Sequence, residues 1–119
     1  MQDFRNLKVW EKGHALTLAT YRESLNFPKD ELFGLRLQMR RTASAIPMKI
    51  AEGCGRGNDA DFVRCLQAGM GSASELEYQY ILAQDLNYIT EKQHAQLAAD
   101  VIEVKKMLVS FIKTVRTDG

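Results

Sequence analysis

Three short junctions constrain this chain more than any other feature: NFPKD at 26–30, GCGRGND at 53–59 and LNYIT at 86–90. Between them run segments rich in Ala, Leu, Met, Gln, Glu and Lys, with two prolines in 119 residues and no alternating Val/Ile/Thr run. Such composition favours helix over strand. The punctuation predicts helices over about 7–25, 30–54, 59–86 and 90–116. Connections this short between helices this long favour antiparallel neighbours. The expectation is an all-α chain, one domain over 1–119, folded as an antiparallel up-down-up-down four-helix bundle. A chain of this length buries one core and not two.

Each segment carries apolar or semi-apolar residues at alternating spacings of three and four, the pattern of a bundle seam. The first reads Leu7, Trp10, His14, Leu18, Tyr21, Leu25, and the second Leu32, Leu35, Met39, Ala43, Ile46, Ile50. The third reads Phe62, Leu66, Gly69, Ala73, Leu76, Tyr80, Ala83, and the fourth Leu97, Val101, Val104, Leu108, Phe111, Val115. Asn58 before Asp59 and Asp61, and Thr90 with Gln93 three residues on, read as helix caps. Pro47 lacks an amide hydrogen and crowds the carbonyl of Ala43, which predicts a kink in the second helix. Gly53, Gly55 and Gly57 then end that helix.

The stripes leave apolar residues over. Phe33, Leu37, Ser44, Met48 and Ala51 fall on the side of the second helix opposite its seam, and Val9, Leu16 and Ala19 do something similar on the first. Two readings stand: a wide core contact with scattered surface residues, or burial against other copies of the chain. The second makes Phe33, Leu37 and Met48 oligomer-interface residues.

The chain has a net charge of +1, with ten Lys/Arg against seven Asp/Glu in residues 1–60 and six against eight in 61–119. That balance gives no global pull toward nucleic acid or membrane. No signal-like opening and no uncharged apolar run of about 18 residues is present, so a cytoplasmic location is expected. Cys54 and Cys65 have neither CxxC spacing nor a His/Cys cluster beside them and read as free thiols.

Catalytic constellations are weak. Glu11-x-x-His14 and Glu91-x-x-His94, with Glu52 and Glu75 or Glu77, match the inventory of a di-metal carboxylate bundle. In an up-down-up-down bundle, however, the two histidines sit near opposite ends, so no metal site is expected and each histidine reads as half-buried on a seam. No Ser, Cys or Thr adjoins a histidine and no G-x-S-x-G elbow occurs. GCGRGN between two helices, with no strand nearby, is not a phosphate loop. The chain is expected to be no enzyme and to need no cofactor. Its basic residues cluster instead: Arg36, Arg40, Arg41, Lys49 and Arg56, joined by Arg64, with only Glu52 among them from 36 to 56. Such a row suits RNA or DNA phosphates without reading bases. The alternative is a solvated face, with the cations paired to Glu52, Glu75 and Glu77 in a structural or protein-interaction scaffold.

FP-x-x-E at 27–31, then Q-x-R-R at 38–41, I-P at 46–47, I-A-E-G-x-G-R at 50–56 and G-S-x-x-E-L-E at 71–77 together form a specific pattern. Across nearly the whole chain it resembles the four-helix-bundle proteins encoded in intervening sequences of 23S ribosomal RNA genes, a family related to the accessory variability proteins of diversity-generating retroelements. Lys49 stands where that family usually has Asn, which adds a positive charge. The resemblance implies a non-enzymatic homo-oligomer, typically a ring of five. From the retroelement relatives it implies a basic surface that binds nucleic acid and a reverse transcriptase.

Overall fold

A computed structural model describes residues 2–118, with the Asp118 side chain, Met1 and Gly119 outside the described residues. The helices are α1 (Lys8–Glu23), α2 (Leu35–Cys54), α3 (Asp59–Asp85) and α4 (Glu91–Asp118), with 3₁₀ turns at Phe4–Asn6 and Lys29–Glu31. At about 1.5 Å per residue the two longest helices run most of the 46 Å long axis. Each helix packs on its neighbours in a closed cycle, α1 on α2, α2 on α3, α3 on α4 and α4 on α1.

Contacts that run in opposite chain directions make every neighbour pair antiparallel. Gly13 lies against Ile46 and Pro47, whereas Ser24 near the other end of α1 meets Arg40. Gly53 meets Phe62 and Cys65, while Thr42 meets Gln79. Phe62 and Glu77 of α3 meet Phe111 and Lys105 of α4; Lys12 and Glu23 of α1 meet Glu103 and Gln93.

The stripes of α3 and α4 fill the core as expected, with Leu66, Ala73, Leu76, Tyr80, Ala83, Val101 and Leu108 fully buried and Phe111 half-buried. Asn58 caps α3 by accepting from the Asp61 amide at 2.9 Å. At α4, the Thr90 hydroxyl accepts from the Gln93 amide and the Gln93 side chain accepts from the Thr90 amide, a capping box. Asn87, at φ 63°, ends α3 in the left-handed conformation, with the Tyr88 amide reaching back to the Ala83 carbonyl.

Two expectations fail. The second helix begins at Leu35 rather than near residue 30, because Pro28 leads into a 3₁₀ turn and Gly34 stands at the N-cap. Leu32, assigned to the seam, is therefore 46% exposed in that turn. The larger correction concerns α1. Its buried residues are Val9, Gly13, Leu16, Thr17 and Thr20, followed by Ser24 and Phe27. Of the seam read from sequence, Leu7 and Trp10 are half-buried against the core, but the rest faces outward, with Leu18 53%, Tyr21 43% and Leu25 58% exposed. Val9 and Leu16, read as outward, are core.

Polar bonds account for this rotation. Pro47 sits inside an unbroken α2, and its missing N–H leaves the Ala43 carbonyl without its helical partner. The Thr17 hydroxyl supplies one, donating to Ala43 O at 3.0 Å while shared with its own Gly13 carbonyl at 2.9 Å. One turn on, Thr20 donates to the Leu16 carbonyl, which leaves its oxygen to accept from the Tyr80 hydroxyl at 2.6 Å. Burial pushes the Tyr80 phenol far above its ordinary pKa, so it stays a donor. Ser24 accepts from Arg40 Nε at 2.9 Å. Gly13 lets α1 approach α2, since a Cβ there would stand 3.3 Å from the Ile46 methyl.

At the end of the bundle that holds the first and third junctions, one carboxylate joins both. Glu31 accepts the Leu35 amide at the start of α2 at 3.0 Å and the Tyr88 hydroxyl at 2.8 Å. The bond from Leu35 first, then that from Tyr88, holds this carboxyl below its ordinary pKa.

These bonds can be tested by substitution. Thr17→Val leaves a buried carbonyl unsatisfied and should cost about 1–3 kcal/mol in denaturant unfolding. In a Pro47→Ala background, where residue 47 has an amide to offer Ala43, the same change should cost clearly less; equal costs would remove the link between proline and hydroxyl. For Glu31, the lowered folded pKa means stability that is present above the ordinary carboxylate range and lost as pH falls through it. Glu31→Gln should therefore flatten the acid limb of a stability-versus-pH curve below about pH 4.5.

Candidate oligomer and nucleic-acid interface

The expected basic cluster divides into separate groups. Arg40 lies between α1 and α2, where Nε bonds Ser24, a terminal nitrogen donates to the Tyr21 carbonyl at 3.0 Å and the guanidinium lies 4.6 Å over the Tyr21 ring. Burial, then the neighbouring Arg36 cation, lowers its pKa. It is a packed structural cation, and no glutamate of α3 pairs with it. Arg36 is half-buried with its Nε enclosed and unpartnered, and Arg41 is exposed; neither forms an ion pair among the described residues.

Lys49, Arg56 and Arg64 come together where α2 turns into α3, lining a shallow depression with Asp61, Cys65 and Ala68. Their carboxylate partners lie in the same place. Glu52 binds Lys49 at 3.1 Å and also Arg56, and Asp61 binds Arg64. The guanidinium of Arg56, with the Lys49 ammonium next, lowers the pKa of Glu52; Arg64, with Asn58 next, lowers that of Asp61. All of these groups are solvent-accessible, so the ion pairs are weak and exchangeable. Glu77, the other carboxylate offered for internal pairing, binds Lys105 of α4 at 2.9 Å, and Glu75 forms no ion pair among the described residues.

The apolar surface is larger than the sequence stripes imply. Phe33 is 85% exposed in the turn before α2, outside the helix to which its spacing assigned it. Met48 is 59% exposed and Leu37 half-buried on the outward side of α2. Arg40 packs across Tyr21 in the groove between the outward stripe of α1 and α2. Trp10 and His14 stack within the same stripe at 5.1 Å, with His14 exposed rather than half-buried. Sequence reasoning missed Leu18, Tyr21 and Leu25 as surface residues because it took them for core. It missed Tyr78 and Ile81 of α3 altogether, although their offset from the Phe62–Ala83 stripe was visible.

Among the described residues no three His, Cys, Asp or Glu stand close enough to hold a metal ion. Cys54 and Cys65 are buried and unbonded to each other, and burial raises the pKa of the Cys54 thiol. No helix among the described residues is long and apolar enough to cross a membrane.

A solved structure of a protein of unknown function from the S23 ribosomal protein family of Bacteroides thetaiotaomicron is similar to this one, with a TM-score of 0.79 and 28% identity over 88% of this chain and 98% of the other. No curated protein matches the chain at a significant level. The family model described as 23S rRNA-intervening sequence protein matches residues 5–110. With that match over most of its length and the four-helix architecture described above, the chain belongs to the 23S rRNA-intervening sequence protein family.

Proposed function

We propose that this protein is a non-catalytic homo-oligomer whose subunits join through the outward seam of α1 and α2. The observation that carries the reading is that seam. Leu18, Tyr21 and Leu25 of α1 and Met48 of α2 are each more than 40% exposed, and Phe33 in the turn before α2 is 85% exposed. Large exposed apolar side chains grouped on two neighbouring helices mark a contact surface. The family resemblance suggests five subunits. Changing Leu18 or Phe33 to Glu, or Met48 to Glu, puts a charge into the contact without touching the core. Light scattering should find each variant at the monomer mass while circular dichroism keeps its helix content. Variants that retain the wild-type mass would refute the interface.

A second activity is supported by the Lys49, Arg56 and Arg64 edge. Three cations line one depression, and an oligomer repeats that edge around its axis and raises the local potential. This edge would take RNA or DNA phosphates, with Glu52 and Asp61 giving up their ion pairs. Removing the three cations should lower affinity for a generic RNA or DNA duplex. It should also reduce the slope of log K against log salt by about 0.9 for each phosphate no longer neutralised. Glu52→Gln, which frees Lys49 and Arg56, should strengthen binding. Absence of binding at low salt leaves the protein a structural scaffold.

A further inference from the structure

The side of the bundle opposite the α1–α2 seam is the groove between α3 and α4. Part of its floor is apolar. Ile102 and Val109 of α4 are 39% and 42% exposed there and Met70 of α3 is half-buried, lining a depression of about 320 Å³ with Lys105 and Lys106. A second depression of about 410 Å³ opens between the same helices nearer the start of α3, where Ala60, Val63 and Gln67 meet Val115 and Arg116. On α4 the exposed Ile102, Lys106, Val109, Lys113 and Arg116 recur at spacings of four, three, four and three, which sets them in one row along the helix. This is the period of the core seams, turned outward and mixing aliphatic with basic groups. Lys106, Lys113 and Arg116 form no ion pair among the described residues, whereas Lys105 is held by Glu77 and Arg64 by Asp61. Among the described residues the one carboxylate lining either depression is Asp59, at the very start of α3.

We propose that the α3–α4 groove receives an acidic amphipathic helix of another protein, with aliphatic side chains on Met70, Ile102 and Val109 and carboxylates on Lys106, Lys113 and Arg116. Shape and charge both select this partner. From Ile102 to Arg116 the row runs about 21 Å at 1.5 Å per residue, the length of a short helix. Two antiparallel helices leave a channel in which a third packs ridge into groove. An extended peptide finds no sheet edge, since both walls are helices. Three cations without partners favour carboxylates and reject a basic segment. A nucleic-acid backbone would pair with the cations and leave Met70, Ile102 and Val109 in water, so it uses half of the surface. The flexible thioether of Met70 adapts to differing aliphatic shapes. Docking here does not depend on assembly through the α1–α2 seam, which lies on the other side of the bundle.

A displayed library of helical peptides randomised along one face, panned against the wild-type protein, tests this. Enriched sequences should place Leu, Ile or Met at alternating three- and four-residue spacing with Asp or Glu beside them. A synthetic peptide of the enriched sequence should bind about tenfold or more weakly to Lys106→Glu with Lys113→Glu, and likewise to Val109→Glu, which puts a charge into the contact. Arg64 is left in place so that the α2–α3 corner keeps its cations. The substituted positions are exposed, so circular dichroism and light scattering should find wild-type helix content and mass. A fall in mass would make the groove a contact between copies and overturn the proposal. Panning that enriches no acidic sequence, or a peptide that binds both variants as it binds wild type, overturns it as well. Duplex RNA is the competing probe. RNA that is lost from Lys106→Glu with Lys113→Glu but still binds Val109→Ser, with no peptide enriched, would assign the groove to phosphates instead.

Discussion

The rotation of α1 about its own axis is the constraint on which the remaining structure depends. Hydrophobic burial alone argues for a different rotation, because Leu18, Tyr21 and Leu25 are larger and more apolar than the Gly13, Thr17, Thr20 and Ser24 that face inward. Burying one Leu fully is worth about 1.5–3 kcal/mol. Against that stand three partners that only the hydroxyl face can satisfy: the Ala43 carbonyl exposed by Pro47, the Tyr80 hydroxyl and the Arg40 guanidinium. Each left unmet inside the bundle costs about 1–3 kcal/mol. Gly13 adds a steric condition, since no side chain larger than hydrogen fits comfortably against Ile46 and Pro47.

From that rotation the surface chemistry follows. Turning the hydroxyls inward sends Leu18, Tyr21 and Leu25 to the outside and draws Arg40 into the groove between α1 and α2, where it bonds Ser24 and the Tyr21 carbonyl. The arginines that look equivalent in sequence thereby become three kinds of residue. Arg40 fastens two helices; Arg36 and Arg41 form no ion pair among the described residues; Lys49, Arg56 and Arg64 sit with their carboxylates at the α2–α3 corner. Adjacent positions on a helix point about 100° apart, so a run of basic residues is rarely one surface.

How much of this was legible depended on the helix. For α3 and α4 the apolar spacing identified the core correctly, because in each one apolar stripe runs the length of the helix. Both predicted caps are present, since capping uses residues within a single turn. The register of α1 was misread because it carries two candidate stripes. The deciding information lies elsewhere in the chain, in Pro47, Tyr80 and Arg40. The late start of α2 had a local signal in the Phe-Pro pair and Gly34, but the apolar Leu32 and Phe33 outweighed it. Among the basic residues, the ion pairs of Glu52 with Lys49 and Arg56 and of Asp61 with Arg64 follow from helical spacing, whereas the engagement of Arg40 with Tyr21 and Ser24 on another helix does not.

The two stripes of α1 favour different rotations of that helix, since rolling it by about a third of a turn would turn its bulky Leu18, Tyr21 and Leu25 side chains inward. Native hydroxyl bonds and greasy burial pull the same element toward different answers, which is local frustration in the landscape sense. A molecule that covers the outward stripe binds the native rotation and not the rolled one, so it deepens the native basin by mass action. The fold of α1 and the occupancy of its outer surface are for that reason thermodynamically linked.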